Sequence, residues 1–361
     1  MHLSPEVKRH TMNTLPRIYH GPANICGIGW DLANWQRRKK QAKSDFIVFE
    51  DRTNRQNSHD NLRLDEFNLF SRLFRQLQFF RATLRDYDIF QFYFGKSLLP
   101  LNLDLPILRL AGKHILMTYL GSDIRLAKLE KRRNPYYHLR KPRNKKSDLL
   151  KRAQMWWHGL WCDYFLTGVR LYSSACTSIP ERKIIKDIWV AKTMPLPVGP
   201  PEYLENKHPV VIHAPSNPLK KGTKYIQKAV DALKEEGLDF EFRIFHKVPH
   251  DTFIEFLKNE SDIVVDQLLS GGYGTLAMEG MTYGKPVCCY ITEDTWAQIP
   301  DLPIIQSTVE TIQENLRDLI IHPEKRKKIG RAGWEFSREY FDRDIIAEKL
   351  WQVYLSLWRQ S

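Results

Sequence analysis

The chain has 361 residues, 42% hydrophobic, 27% charged and 12% aromatic, with a formal net charge of +13. This composition excludes a disordered chain, a collagen-like repeat and a small disulfide-stapled scaffold, and the length suits two domains of ordinary size, each able to bury a core. The start, Met1-His2-Leu3-Ser4-Pro5, holds no apolar stretch of signal-peptide length. The densest apolar run, Leu98 to Leu110, is broken by Pro100, Asp104, Pro106 and Arg109, short of the roughly 20 residues that span a bilayer. A soluble, cytoplasmic protein, peripheral on the inner face of a membrane at most, is the expectation. The five cysteines, Cys26, Cys162, Cys176, Cys288 and Cys289, are odd in number and form no Cys-x-x-Cys pair, so they read as reduced, buried thiols and give no zinc signature.

In chain order, Phe67, Phe70, Leu73, Phe74, Leu77 and Phe80 keep helical spacing and predict an amphipathic helix near 66–85. Tyr87 to Phe94 and His114 to Tyr119 read as strands. From Arg125 to Arg152 there are twelve basic residues against Glu130 and Asp148, a field that attracts polyanions. Leu149, Ala153, Trp156, Trp157, Leu160, Trp161, Tyr164 and Phe165 form a further helical stripe. Met194-Pro-Leu-Pro-Val-Gly-Pro-Pro201 is too rich in proline for regular structure and reads as a hinge. A second series of α/β units follows: strands at 210–213, 240–245, 263–266 and 286–291, helices at 225–236 and 250–258, and a helical tail from about Pro323. Alternation of this kind predicts an α/β fold with parallel sheets, divided into residues 1–194, a hinge at 195–203, residues 204–340 and a C-terminal helix at 341–361 returning to the first domain.

Two loops carry the chemistry. Ile263-Val-Val-Asp-Gln-Leu-Leu-Ser-Gly-Gly-Tyr-Gly-Thr-Leu-Ala-Met-Glu279 is a strand, a glycine loop and a helix. Glycines let backbone approach an anion, and the helix start offers N–H groups and the positive dipole end. Glu279, about one and a half turns in, can accept hydrogen bonds from a ribose diol; the plainer reading makes it a solvated surface residue. Pro218-Leu-Lys-Lys-Gly-Thr-Lys224 follows a strand, and lysines there can neutralise a pyrophosphate leaving group or merely be solvated.

Together, His213-Ala-Pro-Ser-Asn, Lys221-Gly-Thr, Asp266-Gln-Leu-Leu, Gly274 and Glu279-Gly-Met-Thr-Tyr-Gly-Lys-Pro-Val287 resemble the nucleotide-binding domain of the retaining glycosyltransferases of family 4 (glycosyl transferases group 1). The resemblance extends to His322-Pro-Glu-Lys-Arg and Ala332-Gly-Trp-Glu-Phe, and upstream to Tyr87 to Gly95 and Tyr119 to Arg125. It implies a GT-B fold: two Rossmann-like domains facing each other across a cleft, with C-terminal helices packing back. It implies a nucleotide-sugar donor, a glycan or lipid-linked acceptor, and no metal or other cofactor. On the donor side it places Gly27, Gly29, Ser216, Lys220, Lys221, Gly222, Val248, Gly272, Tyr273, Gly274, Thr275 and Glu279. Lys221 would contact the diphosphate and Glu279 the ribose. Gly121, Ser122, Asp123 and Arg125 would lie on the acceptor or sugar side, and Lys221, Glu279 and Asp123 would be the catalytic residues.

This chain also departs from the family's pattern. Gly271 stands where the first glutamate of the Glu-x7-Glu motif would be, and Leu120 where many relatives have a histidine. Gln91 and Tyr93 occupy a strand where relatives often carry histidines, and Pro218-Leu219 the place of an arginine that accompanies the diphosphate lysine. The resemblance implies retaining transfer in which the departing pyrophosphate oxygen helps take the acceptor's proton. The alternative is a catalytically impaired GT-B-like protein that binds nucleotide or polyanion. For the basic segment at 125–152, a solvated insertion and attachment to an anionic membrane surface or acceptor both stand. Nucleic acid is the least supported, because no recognition motif accompanies the charge.

Overall fold

The computed structural model describes residues 15–25, 27–50, 58–139, 147–188, 196–197, 199–202, 206–246, 248–299 and 301–360. Positions 195, 198 and 203 of the proline-rich hinge, the stretch 140–146 of the basic segment, and Cys26 therefore lie outside the described residues.

The first sheet is built from β1 (Ile18–Gly21), β2 (Ser44–Val48), β3 (Asp60–Asn61), β4 (Ile89–Tyr93), β5 (His114–Tyr119) and β6 (Tyr164–Thr167), in the order β3-β2-β1-β4-β5-β6. The pairs β1–β2, β1–β4 and β2–β3 are parallel. This is the order of dinucleotide-binding Rossmann sheets, which reverses direction beside β1. The second sheet contains β7 (Val210–His213), β8 (Glu241–Ile244), β9 (Ile263–Val265), β10 (Val287–Cys289) and β11 (Ile305–Gln306), ordered β11-β10-β9-β7-β8. Counted within itself, that is the flavodoxin-like order 2-1-3-4-5, whose reversal lies between β7 and β9. Both β7 and β9 are buried along their whole length and apolar except for His213 at the end of β7, as strands covered on both faces must be.

The chain divides into two compact units. One takes residues up to Met117, Trp161–Asp163 and Ala347 onward; the other takes Thr118–Leu160 and Tyr164–Ile346. In the first, the Ile28–Lys40 helix follows β1 through Gly27, whose φ of 74° suits glycine. A β-carbon on Gly29 would sit 2.6 Å from the Phe46 ring, so the helix can approach β2 only because that residue is glycine. The Arg343–Trp358 helix is tied to this unit through Tyr354, whose hydroxyl donates to Gln91 Oε1 at 3.1 Å. Gln91 and Tyr93 thus face an internal polar network: Tyr93 also meets His20 Nδ1 at 2.7 Å, and His20 Nε2 meets Gln36 Oε1 at 2.9 Å.

One sequence expectation needs correction, and another is met with an unexpected face buried. The stripe ending at Tyr164 and Phe165 is not one helix; the helix is Asp148–Trp161, and Tyr164 and Phe165 belong to β6. The turn between them is fixed by Asp163, which accepts from Ile115 N at 2.8 Å and from Arg109 at 2.6 Å. The helix expected near 66–85 runs Leu69–Asp86, but it buries Gln76, Phe80 and Thr83 and leaves most of its apolar stripe in solvent.

Candidate functional site at the reversal of the second sheet

In open parallel sheets, ligands sit beyond the carboxyl ends of strands where the strand order reverses. Both loops singled out in the sequence emerge at that point, one after β7 and one after β9, and they are joined: Leu268 N donates to Lys221 O at 2.9 Å. His213, the last residue of β7, pins the junction. Its Nδ1 meets Val265 O at 2.8 Å and its Nε2 meets Thr223 Oγ1 at 2.8 Å. A carbonyl can only accept, so Nδ1 carries the proton and Thr223 donates to Nε2. Burial lowers the pKa of His213 to about 4, so it is a neutral structural clamp.

Lys221 closes a short Pro218–Lys221 turn that Asn217 caps through its side chain and that Gly222, at φ 86°, ends. Its ammonium meets Asp266 Oδ1 at 2.5 Å, and Asp266 Oδ2 accepts from Gly274 N at 2.6 Å. Asp266 is fully buried, so one carboxylate holds together the lysine and the start of the Thr275–Thr282 helix. Gly274 is required here for space: a β-carbon would lie 2.8 Å from Lys221 Nζ and 2.9 Å from Asp266 Oδ2. Asp266 was given no role in the sequence reading. A charged residue closing an apolar strand, directly before a glycine loop, is the signal that could have found it.

Glu279 is not a solvated surface residue. Every residue from Leu276 to Thr282 is buried, and Glu279 is only 3% exposed. Gly280 lets this helix press on Val264 and Val287, and Gly333 lets the Pro323–Tyr340 helix cross over Met281. The carboxylate is met by His250 Nε2 at 2.8 Å, from the first residue of the His250–Asn259 helix. His250 is thus a second residue that sequence reasoning did not place in the site. Val248, two residues earlier, is exposed, as are Ser216 and Thr275; Lys220 is half-buried. Tyr273 packs against Phe341.

Gly271 has φ 69°, and a β-carbon there would meet Thr292 Cγ2 at 2.6 Å. Its carbonyl accepts from Thr292 N and Oγ1, at 3.2 and 3.1 Å. A glutamate at this position would therefore be strained in its backbone and crowded by Thr292.

Gly272 lies under Arg170, whose Cδ would be 2.7 Å from a β-carbon. Arg170 and Arg133 both bind the fully buried Glu130, and Arg133 also reaches Asp294 at 2.6 Å and Arg170 O at 3.0 Å. Burial raises the pKa of Glu130, but Arg170, Arg133 and Arg125 together hold it below the usual glutamate range. Asn134, from the same stretch, donates to Leu269 O at 3.0 Å. Part of the basic segment thus faces inward, including Lys151, which donates to Arg125 O.

The Gly121-Ser122-Asp123 turn closes on itself. Asp123 accepts from Leu120 N at 3.1 Å and Gly121 N at 2.7 Å, and burial raises its pKa against those hydrogen bonds. Its carboxylate holds the turn in shape, and Arg125 N returns to Gly121 O. Gly27 and Gly29 belong to the other compact unit, Gly27 at the turn after β1 and Gly29 in the first turn of the helix that follows. Among the described residues, no group of three His, Cys, Asp or Glu side chains is placed to hold a metal ion.

No family model matches the chain, and no curated protein matches it in sequence. Solved structures do match it in shape. Alr3699/HepE of Anabaena, solved with UDP-glucose, is similar with a TM-score of 0.62 at 11% identity, over 94% of this chain and 99% of that one. A glycosyltransferase from Rickettsia africae gives 0.63 at 14% identity, over 97% and 100%. The lipopolysaccharide outer core galactosyltransferase WaaB gives 0.57 at 11%, over 94% and 99%. The fold is GT-B. In GT-B terms, the loops joined by Lys221 and Asp266 belong to the second sheet, and the Gly27 turn belongs to the first.

Proposed function

We propose that this protein is a glycosyltransferase that binds a nucleotide-sugar donor at the reversal of its second sheet and passes a hexosyl group to a glycan or lipid-linked acceptor, with retention and without a metal. The observation that carries the reading is the arrangement of Lys221, Asp266 and Gly274 at the start of the Thr275–Thr282 helix, with Glu279 inside that helix. HepE, solved with UDP-glucose, and TarM of S. aureus, solved with UDP and α-GlcNAc-glycerol, have this fold and support the choice of donor class.

The chemistry follows from the charges. The bond from the anomeric carbon to the pyrophosphate oxygen breaks, and that carbon bonds to the acceptor oxygen on the same face. The acceptor's proton passes to the departing oxygen. The negative charge that grows on the leaving group is met by the Lys221 ammonium and by the N–H groups opening the helix, and Glu279 receives the ribose hydroxyls. Preorganised groups of this sort are typically worth about 2.7–4 kcal/mol each of transition-state stabilisation.

A thermal-shift screen with UDP, GDP, ADP and CMP and their common sugars tests this on the wild type and on Lys221→Ala and Glu279→Ala. Ligand at about 100 times its Kd stabilises by roughly 2.7 kcal/mol. A shift with one nucleotide, reduced in both variants and accompanied by donor turnover, supports the reading. Binding untouched by both substitutions sinks the site. Gly271 favours the second reading, a GT-B-like protein without transfer activity, because a glutamate in that place would be strained and crowded by Thr292. That reading predicts nucleotide binding without turnover of any donor.

A further inference from the structure

A helix lying on a sheet normally buries its apolar stripe. The Leu69–Asp86 helix leaves most of its stripe in solvent: Leu69 is 79% exposed, Phe70 86% and Phe74 61%, with Leu73 and Leu77 also exposed, while Gln76, Phe80 and Thr83 are buried. Phe70, Leu73, Phe74 and Leu77 follow the i, i+3, i+4, i+7 spacing of a single stripe. Arg81 and Arg85 extend that stripe by successive steps of four, so it passes from apolar to basic along a helix about 27 Å long. Arg72 and Arg75 add charge on the flanks, with Arg75 stacked on Phe67 at 3.9 Å, and Asp86 at the very end is the only acid.

We propose that this helix docks the protein on an anionic lipid bilayer, lying in the interface with Phe70, Leu73, Phe74 and Leu77 below the headgroups and Arg81 and Arg85 paired with lipid phosphates. The charge decides the occupant. Four arginines against one aspartate, on a chain carrying +13, complement an anionic surface and oppose a second copy of the same chain. The mode is surface docking, since among the described residues no helix is long and apolar enough to cross a membrane. Elsewhere in the same compact unit Leu101 and Leu110 are also exposed, each by more than four-fifths. The inference rests on this face alone and is independent of the donor site.

The test is co-sedimentation of the full chain with vesicles of phosphatidylcholine and phosphatidylglycerol at 70:30, and with phosphatidylcholine alone. Wild type should partition onto the anionic vesicles. Phe70→Ser/Phe74→Ser should lower the partition coefficient at least about tenfold, since burial of a single phenylalanine side chain already corresponds to about tenfold or more. Arg81→Gln/Arg85→Gln should lower it about thirtyfold at low salt and flatten its salt dependence. All four side chains are exposed, so thermal melts and the nucleotide-induced shifts should stay at wild-type values. Failure of the wild type to bind either vesicle overturns the proposal, as does full binding by the Phe70→Ser/Phe74→Ser variant. A wild-type dimer that Phe70→Ser/Phe74→Ser converts to monomer, without vesicle binding, overturns it in favour of a second copy.

Discussion

His250 Nε2 lies 2.8 Å from Glu279 Oε1, one group half-exposed at the start of its helix and the other sealed within its own. Hydrogen bonds to charged groups contribute about 1.5–3 kcal/mol, so His250→Ala should lower the melting temperature by several degrees, and His250→Gln should recover part of the loss. The same pair of variants should alter nucleotide affinity in the order wild type, Gln, Ala if Glu279 must be held in place to receive a ribose. Equal melting temperatures for all three proteins would remove the pairing.

Lys221 and Asp266 form a buried ion pair, and breaking such a pair from one side typically costs about 3–5 kcal/mol. Lys221→Met leaves the carboxylate with Gly274 N but without its cation, and should destabilise accordingly. Lys221→Met/Asp266→Asn should regain most of that stability while still failing to bind nucleotide. A double-mutant cycle in urea measures the coupling; additive effects would show that the two side chains do not stabilise each other.

Gly271→Glu introduces the acidic residue found at this place in the family that the sequence resembles. A left-handed backbone costs a non-glycine residue roughly 1–2 kcal/mol, and the clash with Thr292 adds about 1–3 more. The variant should unfold at lower urea and gain no activity. A stable variant with raised turnover would mean that this loop can be rebuilt.

Stability should fall on the acid side. Burial lowers the pKa of His20 and His213 to about 4, below the value near 6.5 that the unfolded chain would have. Between those values the unfolded state binds protons that the folded state refuses. Each histidine therefore removes roughly 1.4 kcal/mol of stability per pH unit as pH falls from about 6.5 to about 4, and nothing above that range. Chemical denaturation from pH 8 to pH 5 should show a plateau and then a decline, and His213→Gln should shallow the slope of the decline. An unchanged slope would mean that His213 takes up its proton while folded.

The strands β7, β9 and β10 were legible because parallel strands buried on both faces leave unbroken apolar runs, and the loops after β7 and β9 were legible because Lys-Gly and Gly-Gly-Tyr-Gly break them abruptly. What could not be read was who meets whom. Asp266 and Lys221 are forty-five positions apart, and His250 and Glu279 twenty-nine, so their pairing exists only once β7 and β9 are neighbours. Periodicity announced the helix that starts at Leu69, but spacing alone says only that one face is apolar, and here the sheet took a different face. The role given to Asp123 illustrates the same limit: its type and place suit chemistry, while its carboxylate is engaged in shaping its own turn.

Sheets made of distant, parallel strands assemble late, and their open borders are where unrelated chains attach during folding. Here β3 and β11 are two-residue stubs, and β8 carries Glu241 and Arg243 bound to each other along its length. A foreign strand arriving at β3 or β11 finds almost no ladder to extend, and one arriving at β8 meets a charged border. At three of the four sheet borders, β3, β11 and β8, the protein's defence against edge-to-edge aggregation is thus written into how the sheet ends.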